Sequence, residues 1–245
     1  MKTILSYSLS ILYYLCFGIL LFSFQIIQWF CLNMFGYYAH KKSVDILNYL
    51  ILLSLSIIKT RIFFEAESNL PPPGKNVIFI ANHQSTYDIP PLIWKLRNYH
   101  MKFVSKKELG RGIPSISYNL RNGGSILIDR EKPKEAINSI KKFGKFLSKK
   151  NFSVLIFPEG TRSKNGKVKK FHRSGLKTLI KNIPDAIIVP ISIKNSWKFS
   201  SQNYFPMPLG VKIIIRFHNS LSNNLNNYES LIDKVEATIH KQVMS

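Results

Sequence analysis

The segment Asn82-His83-Gln84-Ser85-Thr86-Tyr87-Asp88 sets an imidazole and a carboxylate five positions apart, directly after the apolar run Val77 to Ala81. Such a pair can move a proton. A carboxylate that accepts a hydrogen bond from one ring nitrogen leaves the other nitrogen as a base. On a continuous helix this spacing points the two side chains about 140° apart, so they would not meet. They meet only if His83 lies on a strand-to-helix turn and Asp88 in the first helical turn. A helix N-terminus there would disfavour the imidazolium and keep the ring neutral. Taken alone, the pair also reads as a loop histidine beside a helix-capping aspartate. No Ser or Cys occupies a Gly-X-Ser-X-Gly elbow, and both cysteines, Cys16 and Cys31, lie in the apolar N-terminal stretch. A covalent intermediate on the chain is therefore not indicated, and attack by an activated substrate hydroxyl fits better.

Three further blocks carry polar groups at the ends of apolar runs. Gly124 to Arg130 delivers Asp129 and Arg130 after Ile126-Leu127-Ile128. Ligands of open α/β sheets bind at such strand ends, and the Arg130 fork suits a phosphate, although for this motif alone an Asp–Arg pair closing a strand is the preferred explanation. Phe157-Pro158-Glu159-Gly160-Thr161-Arg162-Ser163 follows the apolar run Ser153 to Ile156. Gly160 permits unusual backbone dihedrals, and Thr161, Arg162 and Ser163 offer phosphate donors. Glu159 suits a partner cation or backbone N–H groups that shape the loop. The alternative reading of this block is a turn with a hairpin-like basic tip, Lys164 to Lys170. Val189-Pro190-Ile191 reads as a strand whose proline favours the sheet edge.

These groups need a scaffold of strands and helices. Apolar runs at Val77–Ala81, Lys102–Val104, Ser125–Ile128, Phe152–Phe157, Ala186–Ile193 and Val211–Phe217 read as strands. Pro133 to Ser148 carries Ala136, Ile137, Ile140, Phe143 and Leu147 at helical spacing, with Pro133 at its start and Lys149-Lys150 past its end. Tyr228, Leu231, Ile232, Val235 and Ile239 mark a last amphipathic helix. The alternation predicts an α/β fold with helices layered on a sheet. Between Lys2 and Lys41 there is no charged residue. About 20 apolar residues span a bilayer, so this stretch is expected to enter the membrane, and its length argues against a cleaved signal peptide. The shorter run Ile46 to Ile58 is expected to lie at the interface or against the first. Lys41, Lys42, Lys59 and Arg61 lie C-terminal to the first stretch, placing that side in the cytoplasm by the positive-inside tendency. Pro71-Pro72-Pro73-Gly74 breaks the chain between the two regimes. The expected division is residues 1–60 as membrane-anchoring helices and 61–245 as the α/β domain. The net charge is +22, from 35 Lys+Arg against 13 Asp+Glu, and it points either to anionic partners or to a compositional bias. Two cysteines in an apolar segment indicate neither a disulfide framework nor a zinc site. No zinc finger, RNA-binding aromatic motif or Lys/Arg-only helix is present, so nucleic acid is not an expected partner.

Together and in this order the four blocks resemble the lysophosphatidic acid (1-acylglycerol-3-phosphate) acyltransferase family. The matching residues are Asn82 to Ser85 with Asp88, Gly124 to Arg130, Phe157 to Ser163, and Val189-Pro190, with Phe103 to Leu109 as a further block. The resemblance implies a mixed central sheet flanked by helices and attached to the membrane by N-terminal helices. It implies His83 as the general base and Asp88 as its orienting partner. It assigns Arg130, Glu159, Gly160, Thr161 and Arg162, aided by Lys106, to the acceptor's phosphate end, and Pro190 to the neighbourhood of the acyl donor. The implied donors are acyl-CoA or acyl-carrier protein, the acceptor lysophosphatidic acid, with no metal and no further cofactor. Competing readings are an acyltransferase for another lysophospholipid or an ornithine-type lysolipid, a non-catalytic basic membrane- or lipid-binding protein, and a metal-dependent hydrolase using His83, Asp88, Asp129 and His172.

Overall fold

The residues from Lys2 to Phe30 contain no proline and no charge beyond Lys2 itself, so nothing interrupts their hydrogen bonding and they form one helix, α1. The computed structural model describes residues 2–223 and 227–244. A π-helical turn at Cys31–Phe35 and Gly36 at φ +78° then reverse the chain into α2 (Tyr37–Ser54), which ends in a 3₁₀ turn at Leu55–Ile58. Helix α2 therefore starts well before the expected run Ile46 to Ile58, and it carries Lys41, Lys42 and Asp45. Its buried residues His40, Val44, Leu47, Asn48 and Ile51 recur at three- and four-residue spacing, which a search for purely apolar stretches passes over.

The sheet elements follow: β1 (Arg61–Ala66), β2 (Val77–Ala81), α3 (Ile89–Lys95), β3 (Lys102–Lys106), α4 (Ile116–Asn122), β4 (Ile126–Ile128), α5 (Pro133–Lys150), β5 (Val154–Ile156), α6 (Arg173–Lys181), β6 (Ile187–Lys194), the short α7 (Trp197–Ser200), β7 (Lys212–Phe217), β8 (Leu221–Ser222) and α8 (Tyr228–Met244). The sheet order is β1-β7-β6-β2-β5-β3-β4, with β8 also paired to β6. Strands β6, β2, β5, β3 and β4 are mutually parallel, while β7 and β8 run antiparallel to β6. The fold is thus mixed α/β with a central sheet flanked by helices.

Alternation along the strands sorts two cores. Val77, Phe79, Ala81, Leu155, Val189, Ile191 and Ile193 face one side with Leu92 of α3, Leu96 just past its end and Phe199 of α7. Ile78, Ile80, Val154, Ile156 and Ile188 face the other with residues of α5, α6 and α8. The first core also takes in Tyr13 of α1 and Leu55 and Ile58 at the end of α2. The N-terminal helices are therefore docked on the sheet. Ser6 and Tyr14 of α1 donate to the carbonyls of Met207 and Tyr204 at 2.7 and 2.5 Å, and Ser10 Oγ accepts from Met207 N at 2.8 Å. The opposite side of α1 exposes Ile4, Ile11, Leu15, Ile19, Phe22 and Ile26. The segment Ile4–Phe35 is long and apolar enough to cross a membrane.

Two sequence expectations change here. Strand β1 was not anticipated, because its burial alternates poorly and only its parallel pairing with β7 makes it a strand. Pro190 is not at an edge: β6 lies between β2 on one side and β7 and β8 on the other. The proline fits because the β6 partner changes there. Register runs Ile188↔Leu221 and then Ile191↔Phe217, so three residues of the β7–β8 connection oppose two of β6. That bulge needs no N–H from Pro190, whose carbonyl still accepts from His218 N at 3.0 Å.

Candidate active site

The site forms at the carboxyl ends of the parallel strands, where β2, β3, β4, β5 and β6 each release a loop. After β2, Ser85 caps a 3₁₀ turn (Thr86–Asp88) that runs into α3, with Pro90 and Pro91 in the helix's first turn. The Ser85 hydroxyl accepts from Tyr87 N at 2.9 Å, and the Asp88 carboxylate accepts from Ser85 N at 2.9 Å, a capping box. The same carboxylate oxygen, Oδ2, accepts from Gln84 N at 2.7 Å and faces His83 Nδ1 at 2.8 Å. The turn thus brings together the two side chains whose spacing would separate them on a helix. Asp88 is fully buried, and its other oxygen accepts a short hydrogen bond from Ser196 Oγ. An acceptor held by backbone N–H groups and a hydroxyl keeps one orientation toward Nδ1. With Nδ1–H donated to Asp88, Nε2 carries the free lone pair. The ring stacks on Phe157, centroids 4.1 Å apart and planes 20° from parallel, which fixes its second rotation axis.

The β5 loop packs on this turn. Glu159 is 2% exposed. Its oxygens accept from His83 N and Lys169 N, each at 2.7 Å, while Ser163 N donates to the His83 carbonyl at 2.8 Å. Burial pushes the Glu159 carboxyl from 4.5 up to about 7, against the opposing pull of those two N–H donors. Glu159 is thereby removed from the phosphate-contacting set: both oxygens join loop to loop, the second role its residue type allowed. Gly160 has φ +69°, and a Cβ there would stand 3.0 Å from His172 Cδ2 and 3.5 Å from Arg130 Nη1. This crowding places the Arg130 guanidinium directly over the Gly160 backbone. Thr161 and Arg162 are exposed, and Arg162 Nη1 donates to Tyr204 OH at 2.9 Å. Ser163 is buried, its hydroxyl bonded to Asn165 Oδ1 at 3.1 Å. The loop continues to α6 without the hairpin-like tip expected at Lys164 to Lys170, since Val168 and Phe171 turn into the second core.

Lys106 is exposed at the end of β3, in register with Ile128, after which β4 releases Asp129 and Arg130. Asp129 Oδ2 lies 3.8 Å from Lys107 Nζ, so Asp129 and Arg130 do not close on each other as the strand-end pair weighed above. Pro190 is buried in mid-sheet beside Ile80 and does not reach this polar group of residues. Among the described residues no three His, Cys, Asp or Glu side chains gather closely enough to hold an ion, so His83, Asp88, Asp129 and His172 do not form a ligand set.

Ser196 escaped the sequence reading, as did what Asn82 and Gln84, named there as part of the motif, hold in place. Asn82 makes a two-way clamp with Ile193: Asn82 Nδ2 donates to the Ile193 carbonyl at 2.9 Å, and Ile193 N donates to Asn82 Oδ1 at 2.7 Å. Ser196 follows the end of β6, and Gln84 Nε2 donates to the Gly166 carbonyl at 3.1 Å. The only signal for Ser196 was its position just past a strand that proves to neighbour β2.

A family model described as Acyltransferase matches residues 61–194. The chain is 30% identical over 158 residues to a 1-acyl-sn-glycerol-3-phosphate acyltransferase of Cocos nucifera, covering 63% of this chain and 51% of that protein. It is 39% identical over 127 residues to a protein of the same name in Helicobacter pylori, covering 49% and 51%. The chain thus spans about half the length of these relatives. In fold it is similar to the crystal structure of the 1-acyl-sn-glycerophosphate acyltransferase PlsC from Thermotoga maritima, with a TM-score of 0.79 and 20% identity over 100% of this chain and 97% of that one.

Proposed function

The chain belongs to the acyltransferase family, and from that premise we propose that it moves a fatty acyl group from acyl-CoA or acyl-carrier protein to the sn-2 hydroxyl of 1-acylglycerol-3-phosphate, yielding phosphatidic acid. The observation that carries this reading is the 2.8 Å contact of His83 Nδ1 with buried Asp88, set beside Arg130 and the Gly160–Arg162 loop. His83 Nε2 removes the proton of the acceptor hydroxyl as its oxygen attacks the thioester carbonyl. Asp88 holds the tautomer and balances the charge of the imidazolium that forms. The tetrahedral adduct collapses by breaking the C–S bond, and the imidazolium returns its proton to the leaving thiolate. Arg130, Arg162 and Thr161 grip the phosphate of the acceptor, with Lys106 beside them. Arg162, resting on the partly buried Tyr204, has a neutral hydroxyl partner to leave when a phosphate arrives.

The exposed apolar side of α1 lies in the bilayer, and the domain stands on the cytoplasmic surface, where its positive charge gathers two acidic substrates. The deciding experiment uses membranes or detergent micelles holding the full chain, labelled acyl-CoA and a panel of lysolipids. His83→Ala lowers kcat by about 10²–10⁴-fold while the protein stays folded. Undiminished turnover in that variant ends the reading. A panel in which lysophosphatidic acid is not preferred ends the acceptor assignment alone.

A further inference from the structure

At the end of β3 away from Lys106, a cavity of ≈ 30 Å³ lies between α2, α3 and the amino-terminal edge of the sheet. Its charged lining is Lys41, Asp45, Arg97 and Lys102, three cations against one carboxylate. It is separate from the site above. Lys102 opens β3 opposite Val154, the first residue of β5, whereas His83 follows the far end of β2.

Lys102 is 4% exposed, and the partners of its ammonium are neutral: Tyr37 OH and the Gly123 carbonyl, each at 2.6 Å. It lies 4.5 and 5.0 Å from the Tyr37 and Phe152 ring centroids. Asp45 is taken by Lys41 at 2.5 Å. Arg97 donates to the Trp94 carbonyl at 2.9 Å and stacks on the Trp94 ring. His40 in the cavity wall is fully buried, and neither of its ring nitrogens has a hydrogen-bonding partner. Burial and then the neighbouring Lys41 charge pull the Lys102 amine down to about 8. Buried positive charge of this kind is costly unless an anion answers it.

We propose that this cavity is a second anion site, which takes a phosphate-class group against Lys41, Arg97 and Lys102. None of these residues enters the transfer chemistry, so the inference stands apart from the proposed reaction. The anion comes either from a phospholipid headgroup or from free phosphate. Tyr38 and Tyr49 of α2 are exposed, and Trp94 contacts both Tyr49 and Arg97; these are aromatic side chains of the kind that settle at headgroup level, and α2 packs on apolar α1.

The test starts from a full chain carrying Lys106→Ala, Arg130→Ala and Arg162→Ala, so that the basic groups of the proposed active site do not respond. Thermal unfolding is followed with inorganic phosphate against chloride at equal ionic strength. It is followed again in nanodiscs of phosphatidylcholine with and without phosphatidylglycerol. A rise in Tm with phosphate identifies a free-anion site, and a rise only with phosphatidylglycerol identifies a headgroup site. In either case Arg97→Gln and Lys102→Met each weaken the apparent affinity about tenfold. Should Lys102→Met fail to fold, Arg97→Gln at the partly exposed edge of the cavity still decides. A Tm that responds to neither probe, or a response that both substitutions leave intact, overturns the proposal.

Discussion

His83 is held in three ways: Asp88 takes its Nδ1, Phe157 takes its ring face, and Glu159 takes its backbone N–H. Each partner restricts a different motion, so the imidazole is oriented before substrate arrives. Glu159 makes this arrangement sensitive to pH. Its carboxyl titrates near 4.5 when unfolded and at about 7 when folded, so the folded chain holds the extra proton between those values. Stability from this group is fullest below about pH 4.5 and declines as pH rises toward 7. Unfolding free energy measured from pH 5 to 7 should therefore fall more steeply in the native chain than in Glu159→Gln, by about 3 kcal/mol at most. Equal slopes would remove Glu159 as the source.

At the scale of elements, the turn between β2 and α3 has two functions. Its capping box starts the helix, and the same Asp88 carboxylate orients the His83 imidazole. Ser85→Ala removes the acceptor for Tyr87 N and leaves Asp88 in place. It should cost about 1 kcal/mol of stability by denaturant unfolding and reduce kcat more than it raises the acceptor KM. A variant with native stability would show that the turn is held by Asp88 alone. The strand ends act as a group because β2 lies between β5 and β6. Adjacent carboxyl ends put the Glu159 loop on one side of His83 and Ser196 on the other.

Across the whole molecule, α1 packs on the core with one face and carries on the other the apolar surface that the proposed function puts in lipid. One face of the helix packs into the core around Tyr13 and on the segment Tyr204–Met207, whose Tyr204 holds Arg162. The other face is apolar and exposed, with Ile19 at 66% and Phe22 at 67%. Placing both in lipid is worth about 1.5–3 kcal/mol each. Ile19→Lys with Phe22→Lys should weaken vesicle partition by about 100-fold or more, with the far-UV spectrum unchanged. Unaltered co-sedimentation would show that this face does not meet the bilayer.

Local chemistry was legible in the residues themselves. The His83–Asp88 contact spans five positions, and a capped turn after an apolar strand is enough to form it. Helices α5 and α8 followed from their spacing, and the buried strands from runs of apolar residues covered on both faces. Contacts between distant segments were decided only by the tertiary structure. Ser196 meets Asp88 across 108 positions and Glu159 meets His83 across 76, and neither motif specifies the other. Pro190 was read as an edge because proline lacks an N–H, but strand order put it mid-sheet and a bulge removed the need for the bond. The cations around Lys102 likewise come from α2, β3 and the end of α3. Short-range hydrogen bonds depend on neighbours along the chain, whereas strand order and burial depend on which distant surfaces exclude water best.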